Sequence, residues 1–320
     1  MEGLIIPALV SLAVCSVLTP VLIPVLHRLK FGQQIREEGP EGHKKKSGTP
    51  TMGGIAFLAA ITAGSLLSLI WSPETLPQML PVLLMMVGYG AIGLADDLLK
   101  ILKKQSEGLK AWQKFAAQLL LTLGFAWYRM SMVEGGTLVA IPFTDITVDF
   151  GWFYIPFLVL VVVGTDNGVN FTDGLDGLCS SVTAVVAVFL AVLSLRDGGG
   201  VEAVSLCTAA ALAGFLLYNT NPAGIFMGDT GSLALGAFVS SAALTLRQPF
   251  LILLIGIIYL AEVVSVMLQV GWFKATHGKR LFKMAPIHHH FELCGWSEPR
   301  IVTVFTVITA AGCLLAYWGA

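Results

Sequence analysis

Apolar runs of roughly 20 residues, the length a helix needs to cross a bilayer, recur along this chain with short polar connections between them. Ten can be read, at about 3 to 26, 53 to 71, 79 to 95, 112 to 129, 151 to 165, 175 to 195, 202 to 218, 231 to 247, 249 to 270 and 301 to 319, the fifth being short. Between Gly135 and Gly151 the pattern changes. Thr137-Leu138-Val139-Ala140-Ile141-Pro142 and Asp145-Ile146-Thr147-Val148-Asp149-Phe150 alternate about a polar turn, which predicts a small β-hairpin peripheral to any chemistry. The longest polar connections, about 27 to 52 and 271 to 300, are loops rather than domains. Residues 1–320 therefore read as one all-α polytopic membrane domain of about ten transmembrane helices. No internal repeat supports the inverted-repeat plan of many transporters.

Composition agrees: 56% of the residues are hydrophobic and 12% charged, against about 45–50% and about 25% in soluble domains. The first run has no basic stretch before it and no small-residue cleavage site, so it reads as a retained span rather than a secretion signal. Charge placement sets the orientation, because Lys and Arg stay on the cytoplasmic side. With both termini extracytoplasmic, the inner loops hold Arg28, Lys30, Arg36, Lys44, Lys45, Lys46, Lys100, Lys103, Lys104, Lys110, Lys114, Lys274, Lys279, Arg280, Lys283 and Arg300. The outer loops hold only Arg129, Arg196 and Arg247. The formal charge of −1 conceals this segregation and gives no reason to expect nucleic acid as a partner. Cys15, Cys179, Cys207, Cys294 and Cys313 have no paired spacing, which argues against a disulfide framework or a thiolate zinc site.

Carboxylates in spans are costly, roughly 2.5 to 3.5 kcal/mol on insertion scales, and so need a reason. Asp96 and Asp97 end the third run, Asp173 and Asp176 follow the fifth, and Asp229 precedes the eighth, all at inner ends. Such a set suits Mg²⁺, which takes one or two carboxylates together with substrate phosphate oxygens. Helix capping is the alternative for each. It is weaker for Asp96 and Asp97, since adjacent acids repel and only one can cap; Asp229, followed by Thr-Gly-Ser, is the acid most suited to be only a cap. Gly164, Gly168, Gly174, Gly177, Gly228 and Gly231 surround these acids, open either to phosphate approach or to close helix packing. Lys46, Lys100, Lys104 and Lys114 offer counter-charge for a nucleotide diphosphate, although ordinary inside-positive topology explains most of them. His288, His289 and His290 are consecutive and cannot all point one way, so they suit phosphate donation or proton relay better than a zinc site of their own. Glu262, inside the ninth run, needs either a partner on another helix or a function. Gly271 before Trp272-Phe273 predicts that the helix breaks or exits obliquely near there.

The segments Lys46-Ser-Gly-Thr-Pro-Thr-Met-Gly-Gly54, Gly93-Leu-Ala-Asp96-Asp97, Asn167-Gly-Val-Asn170-Phe-Thr-Asp-Gly-Leu-Asp-Gly-Leu178, Tyr218-Asn219, Phe226-Met-Gly-Asp229-Thr-Gly-Ser232 and Met284-Ala-Pro-Ile-His-His-His-Phe-Glu292 closely resemble the phospho-N-acetylmuramoyl-pentapeptide-transferase family, in its order and over nearly the whole chain. The resemblance implies a ten-span enzyme of the bacterial cytoplasmic membrane with a cytoplasmic cleft and Mg²⁺ as cofactor. It implies UDP-MurNAc-pentapeptide as donor, undecaprenyl phosphate as acceptor, and lipid I and UMP as products. Carried over, Asp229 is the metal ligand and Asp96 the base or acceptor-phosphate contact, with Asp97 beside it. Asn170, Asp173 and Asn219 line the cleft, while Leu175, Asp176 and Phe226 form the uridine pocket. Lys46, Lys100, Lys114, His288, His289 and His290 match further functional positions. Two features depart from the pattern: Asp166, where a small neutral residue is expected, and a loop at Thr276-His277-Gly278 that is one residue longer.

Relatives transferring GlcNAc-1-phosphate would share the Asp-Asp and Asn-x-x-Asp-Gly elements but not the histidine segment, which makes UDP-GlcNAc the alternative donor. An ion-coupled transporter would place its acids near the midplane, and a non-catalytic scaffold would not need them. The reaction itself has two forms, direct attack by the lipid phosphate or a route through an aspartyl intermediate. Outward-facing helices leave room for a homodimer.

Overall fold

The computed structural model describes residues 2–29, 48–103, 105 and 108–320. Lys46 and Lys104, like Lys30, Arg36, Lys44 and Lys45, lie outside the described residues. Among the described residues, ten helices of 15 residues or more match the ten apolar runs in order: α1 Glu2–Arg28, α2 Gly54–Ser68, α3 Leu76–Lys103, α4 Ala111–Met132, α5 Tyr154–Thr172, α6 Leu178–Asp197, α7 Glu202–Asn219, α8 Gly228–Thr245, α9 Ile257–Ala275 and, after the short α10 Ile287–Leu293, α11 Glu298–Gly319. Among the described residues, seven helical segments are long and apolar enough to cross a membrane, which makes this a multi-pass membrane protein. Between α4 and α5, β1 Leu138–Ala140 pairs antiparallel with β2 Thr147–Asp149, Val139 opposite Val148, as the alternation predicts.

Helix α8 is the axis of the bundle. It is apolar around its whole circumference, the pattern of an enclosed helix, and every residue from Thr230 to Leu244 is buried. Its few hydroxyls do not resist burial: Ser240 and Ser241 donate back to the carbonyls of Gly236 and Ala237. Helices α2, α3 and α5 surround it. Small residues let them close in, since a Cβ on Gly54 would stand 2.4 Å from the Gly231 nitrogen.

Two boundaries differ from the sequence pattern. Helix α5 does not stop near residue 165 but continues through Asp166 and Asn170 to Thr172. Asp166 and Asn170 pair with Gln118 and Asp229 on other helices rather than meeting lipid, so they do not end it. The break near the ninth run falls at Gly256, between the turn Ile252–Ile255 and α9, whereas α9 passes helical through Gly271 to Ala275. Gly271 has nothing within 4 Å of a would-be Cβ, so no packing contact there forces an interruption.

Both termini lie at the hairpin end. A Cβ on Gly3 would stand 2.7 Å from Trp71, just before α3 begins, and the Phe143 N–H donates to the Gly319 carbonyl at 2.7 Å. Asp96 and Asp97 sit near the other end of α3.

Candidate active site

The third span delivers Asp96 and Asp97 to the start of α8, and the two side chains separate at once. Asp97 faces α8 and caps it from another helix. Its Oδ1 accepts the Asp229 N–H at 3.2 Å, while its Oδ2 accepts the Thr230 N–H at 2.9 Å and the Thr230 hydroxyl at 2.8 Å. These are donors that the first turn of a helix otherwise leaves unpaired. Asp229 is therefore not the cap; its position in the first turn is capped by Asp97, and its own carboxylate is released toward the opening. Asp96 turns the other way, its Oδ1 accepting the Leu109 N–H at 2.7 Å and its Oδ2 lying 2.7 Å from Lys100 Nζ.

Three helices converge on Asp229 of α8. Its Oδ2 accepts from Lys100 Nζ of α3 at 2.9 Å and Lys114 Nζ of α4 at 3.1 Å, and its Oδ1 from Asn170 Nδ2 of α5 at 3.0 Å. Asn170 also donates to the Ser232 hydroxyl at 2.8 Å. Lys100 further lies 3.7 Å from Asp97, so one ammonium stands among all three acids. Exposure decides which of these groups a substrate can touch: the side chains of Lys100, Lys114 and Asp229 are 32%, 22% and 19% exposed, those of Asp96 and Asp97 only 4%. The acid pair is thus support, and the open face is two lysines around one carboxylate.

The stretch that carries this arrangement, and a second one before it, match known families. The model of glycosyl transferase family 4 covers residues 79–247. Phospho-N-acetylmuramoyl-pentapeptide-transferase signature 1 matches residues 46–58. The chain is 48% identical over 315 residues to the phospho-N-acetylmuramoyl-pentapeptide-transferase of Clostridium perfringens (strain 13 / Type A), covering 98% of both proteins. It is 47% identical over 310 residues to that of Clostridium botulinum (strain Alaska E43 / Type E3), covering 97% of this chain and 94% of the other. With that of Clostridium kluyveri (strain NBRC 12016) it shares 48% over 318 residues and 99% of each. The chain belongs to the phospho-N-acetylmuramoyl-pentapeptide-transferase family.

In this transferase, the signature segment and the start of α8 are joined by backbone. The Phe226 N–H donates to the Pro50 carbonyl at 2.8 Å, and the N–H groups of Gly53 and Gly54 donate to Phe226 and Met227 at 2.8 and 3.0 Å. Phe226 itself is half-buried. Leu175 is 4% exposed and belongs to the main apolar core. Asp176 is buried, and its Oδ2 holds the loop after α7 through Asn221 Nδ2 at 3.1 Å and the Ala223 N–H at 3.0 Å. Asn219 lies inside the protein rather than on the cleft: it is 2% exposed, accepts from Ser180 at 2.8 Å and donates to the Ile225 carbonyl at 2.9 Å. Asp173, half-buried just past α5, feels Asp229, Asp97 and Asp176; burial first, then these charges, pushes its carboxyl well above the ordinary range.

The three histidines diverge, as consecutive residues on α10 must. His288 is buried, with Nδ1 3.1 Å from Oε2 of the fully buried Glu262, an approach without the alignment of a full hydrogen bond. That pairing accounts for the acid inside α9. Its other nitrogen faces Gly174, where a Cβ would stand only 2.2 Å away. His289 Nδ1 lies 2.7 Å from Glu292, and His290 Nδ1 accepts the Lys283 N–H at 3.1 Å. None of the three joins the carboxylate cluster.

Thr230, Ser232 and Gln118 also build the site, although no pattern of acids, bases or histidines marks them in the sequence. Their signal was spacing: Thr230 and Ser232 follow Asp229 within three positions, and Gln118 stands one turn after Lys114. Gly93 shows how tightly the site is built, since a Cβ there would lie 2.1 Å from the Asp229 carbonyl oxygen. Gly93→Ala must push α3 and α8 apart, and transferase activity is expected to fall about 10²-fold, the cost of misplacing reacting groups by about 1 Å. Gly124→Ala, with open space around it, is the control. Equal initial rates for the two variants would show that the helix spacing is irrelevant to turnover.

Proposed function

We propose that this chain, a single membrane transferase domain, moves phospho-MurNAc-pentapeptide from UDP-MurNAc-pentapeptide to undecaprenyl phosphate, giving lipid I and UMP. The observation that carries the reading is the convergence of Lys100 and Lys114 on Asp229, the most open carboxylate of the Asp96, Asp97 and Asp229 cluster, in a chain of this family. Two phosphate-bearing substrates bring several negative charges to one place, and two partly exposed ammonium groups supply the counter-charge. The site lies at the end of the bundle remote from both termini, and the segregation of Lys and Arg supports a cytoplasmic side for it in a bacterial inner membrane. The nucleotide arrives there from water and the acceptor from lipid.

The donor set fits Mg²⁺. Asp96, Asp97 and Asp229 each offer a carboxylate oxygen within 4.8 Å of the others, and hard oxygen ligands are what this ion selects. Asp229 would hold it, because Asp97 is engaged as a cap and Asp96 by Lys100 and Leu109. Bound there, the ion would neutralise charge developing on the diphosphate. The remaining work falls to the chain. Lys100 and Lys114 bind phosphate oxygens as they turn from Asp229, and Asn170 keeps that carboxylate oriented. The acceptor phosphate oxygen attacks the sugar-linked phosphorus, its bond to the bridging oxygen breaks, and the electron pair leaves on UMP. Both oxygens of Asp97 already accept hydrogen bonds, which favours this direct path over an aspartyl intermediate on that residue.

The test is Mg²⁺-dependent UMP release by the purified protein with undecaprenyl phosphate present, comparing UDP-MurNAc-pentapeptide with UDP-GlcNAc. Release from the first donor is expected. Release from UDP-GlcNAc alone would retain the wider family and overturn the substrate.

A further inference from the structure

Lys114 and Asn170, which grip the two oxygens of Asp229, stand on α4 and α5. One helical turn deeper on each helix, where side chains of the same face recur, are Gln118 and Asp166. Gln118 Nε2 donates to Asp166 Oδ2 at 2.6 Å, and the two residues are 4% and 0% exposed. The rung reaches α3 as well: the Gln118 carbonyl accepts from Tyr89 Oη at 3.2 Å and from Thr122 Oγ1 at 2.7 Å. On its far side Asp166 rests on α8, where a Cβ on Gly236 would stand 2.5 Å from the Asp166 Cα and 2.8 Å from Oδ1. That Oδ1 makes no hydrogen bond among the described residues. A carboxyl enclosed in a span with one oxygen unpartnered is costly, and an apolar residue would fill the space without that cost. The group is explained if its other oxygen has a task.

We infer that Asp166 is a positioning residue, which through Gln118 fixes the rotation of α4 and so the approach of Lys114 to Asp229. Without the rung, α4 keeps its backbone bond to Tyr89 on the α3 side but loses its tie to α5, and can turn by a few degrees about its axis. The Lys114 ammonium, at the end of a long side chain one turn away, then loses its distance to the carboxylate.

The activity arm of the test rests on the reaction proposed above; a chemical arm does not. Full-length variants in detergent are compared for UMP release and for acylation of Lys114 by an amine-reactive reagent without substrate, read by mass spectrometry. Asp166→Leu and Gln118→Met keep size and remove the bond, whereas Asp166→Asn keeps an acceptor. The first two are expected to lower kcat/KM for the nucleotide about tenfold and Asp166→Asn less than about threefold, the scale of one buried hydrogen bond. The KM for the lipid acceptor should not move. In a Lys114→Ala background, Asp166→Leu should cost nothing further, because the residue it serves is gone. Acylation of Lys114 should rise several-fold in Asp166→Leu and stay at the native level in Asp166→Asn.

Losses that multiply across the double variant, or native acylation in Asp166→Leu, would overturn the inference. If neither Asp166→Leu nor Gln118→Met folds, the rung is a determinant of the fold and the positioning role is likewise overturned. A native chain that releases no UMP from either donor would remove the proposed reaction and leave the acylation result to decide on Asp166.

Discussion

Asp229→Asn is expected to lower turnover by about 10²- to 10³-fold, the range seen when one preorganised electrostatic partner is removed from an active site, while leaving the protein folded. The amide oxygen can still accept from Asn170. The second oxygen, which accepts from Lys100 at 2.9 Å and from Lys114 at 3.1 Å, becomes an NH₂ group facing two ammonium groups. Both lysines must then turn away, and the most open of the three clustered carboxylates, Asp96, Asp97 and Asp229, is lost as a cation ligand. Stability should change little, because the Asp229 side chain is 19% exposed and the lysines have water to turn toward. Initial rates of UMP release and a thermal melt on the same preparation check both halves. A rate within tenfold of the native chain would mean that neither the cation nor the lysines act through Asp229.

The contrast between residues explains how much of this site is legible in sequence. Ten apolar runs gave ten helices because span length needs no knowledge of neighbours. The end of α5 is not legible because Asp166 and Asn170 look like a span giving way to water, and only the partners Gln118 and Asp229 on other elements show otherwise. The same limit applies to the acids. Local capping logic assigns the cap to the acid in the first turn, Asp229, yet the cap comes from Asp97, 132 residues earlier in the chain. Glu262 and His288 were two separate anomalies whose pairing across α9 and α10 no local pattern states. Residue types at span ends were readable; their division into open groups and supports was not, since that depends on which helix faces which.

That division yields the second large effect. Asp97→Ala removes the acceptor of two backbone N–H groups and one hydroxyl at the start of a helix that is buried almost throughout. A lost cap alone costs about 0.5–2 kcal/mol, and hydrogen bonds to a charged group about 1.5–3 kcal/mol each before relaxation. A loss of about 3 kcal/mol or more is therefore expected, and activity should fall with it because the displaced turn carries Asp229. Asp97→Asn should be intermediate: its one carbonyl oxygen can serve both Thr230 donors, but its NH₂ then meets the Asp229 N–H. Thr230→Val, which removes only the hydroxyl, should cost about 1 kcal/mol. Chemical unfolding of the three variants, each paired with a rate, reads the order directly. If Asp97→Ala unfolds like the native protein yet is inactive, the cap contributes nothing to stability and Asp97 acts on the substrate itself.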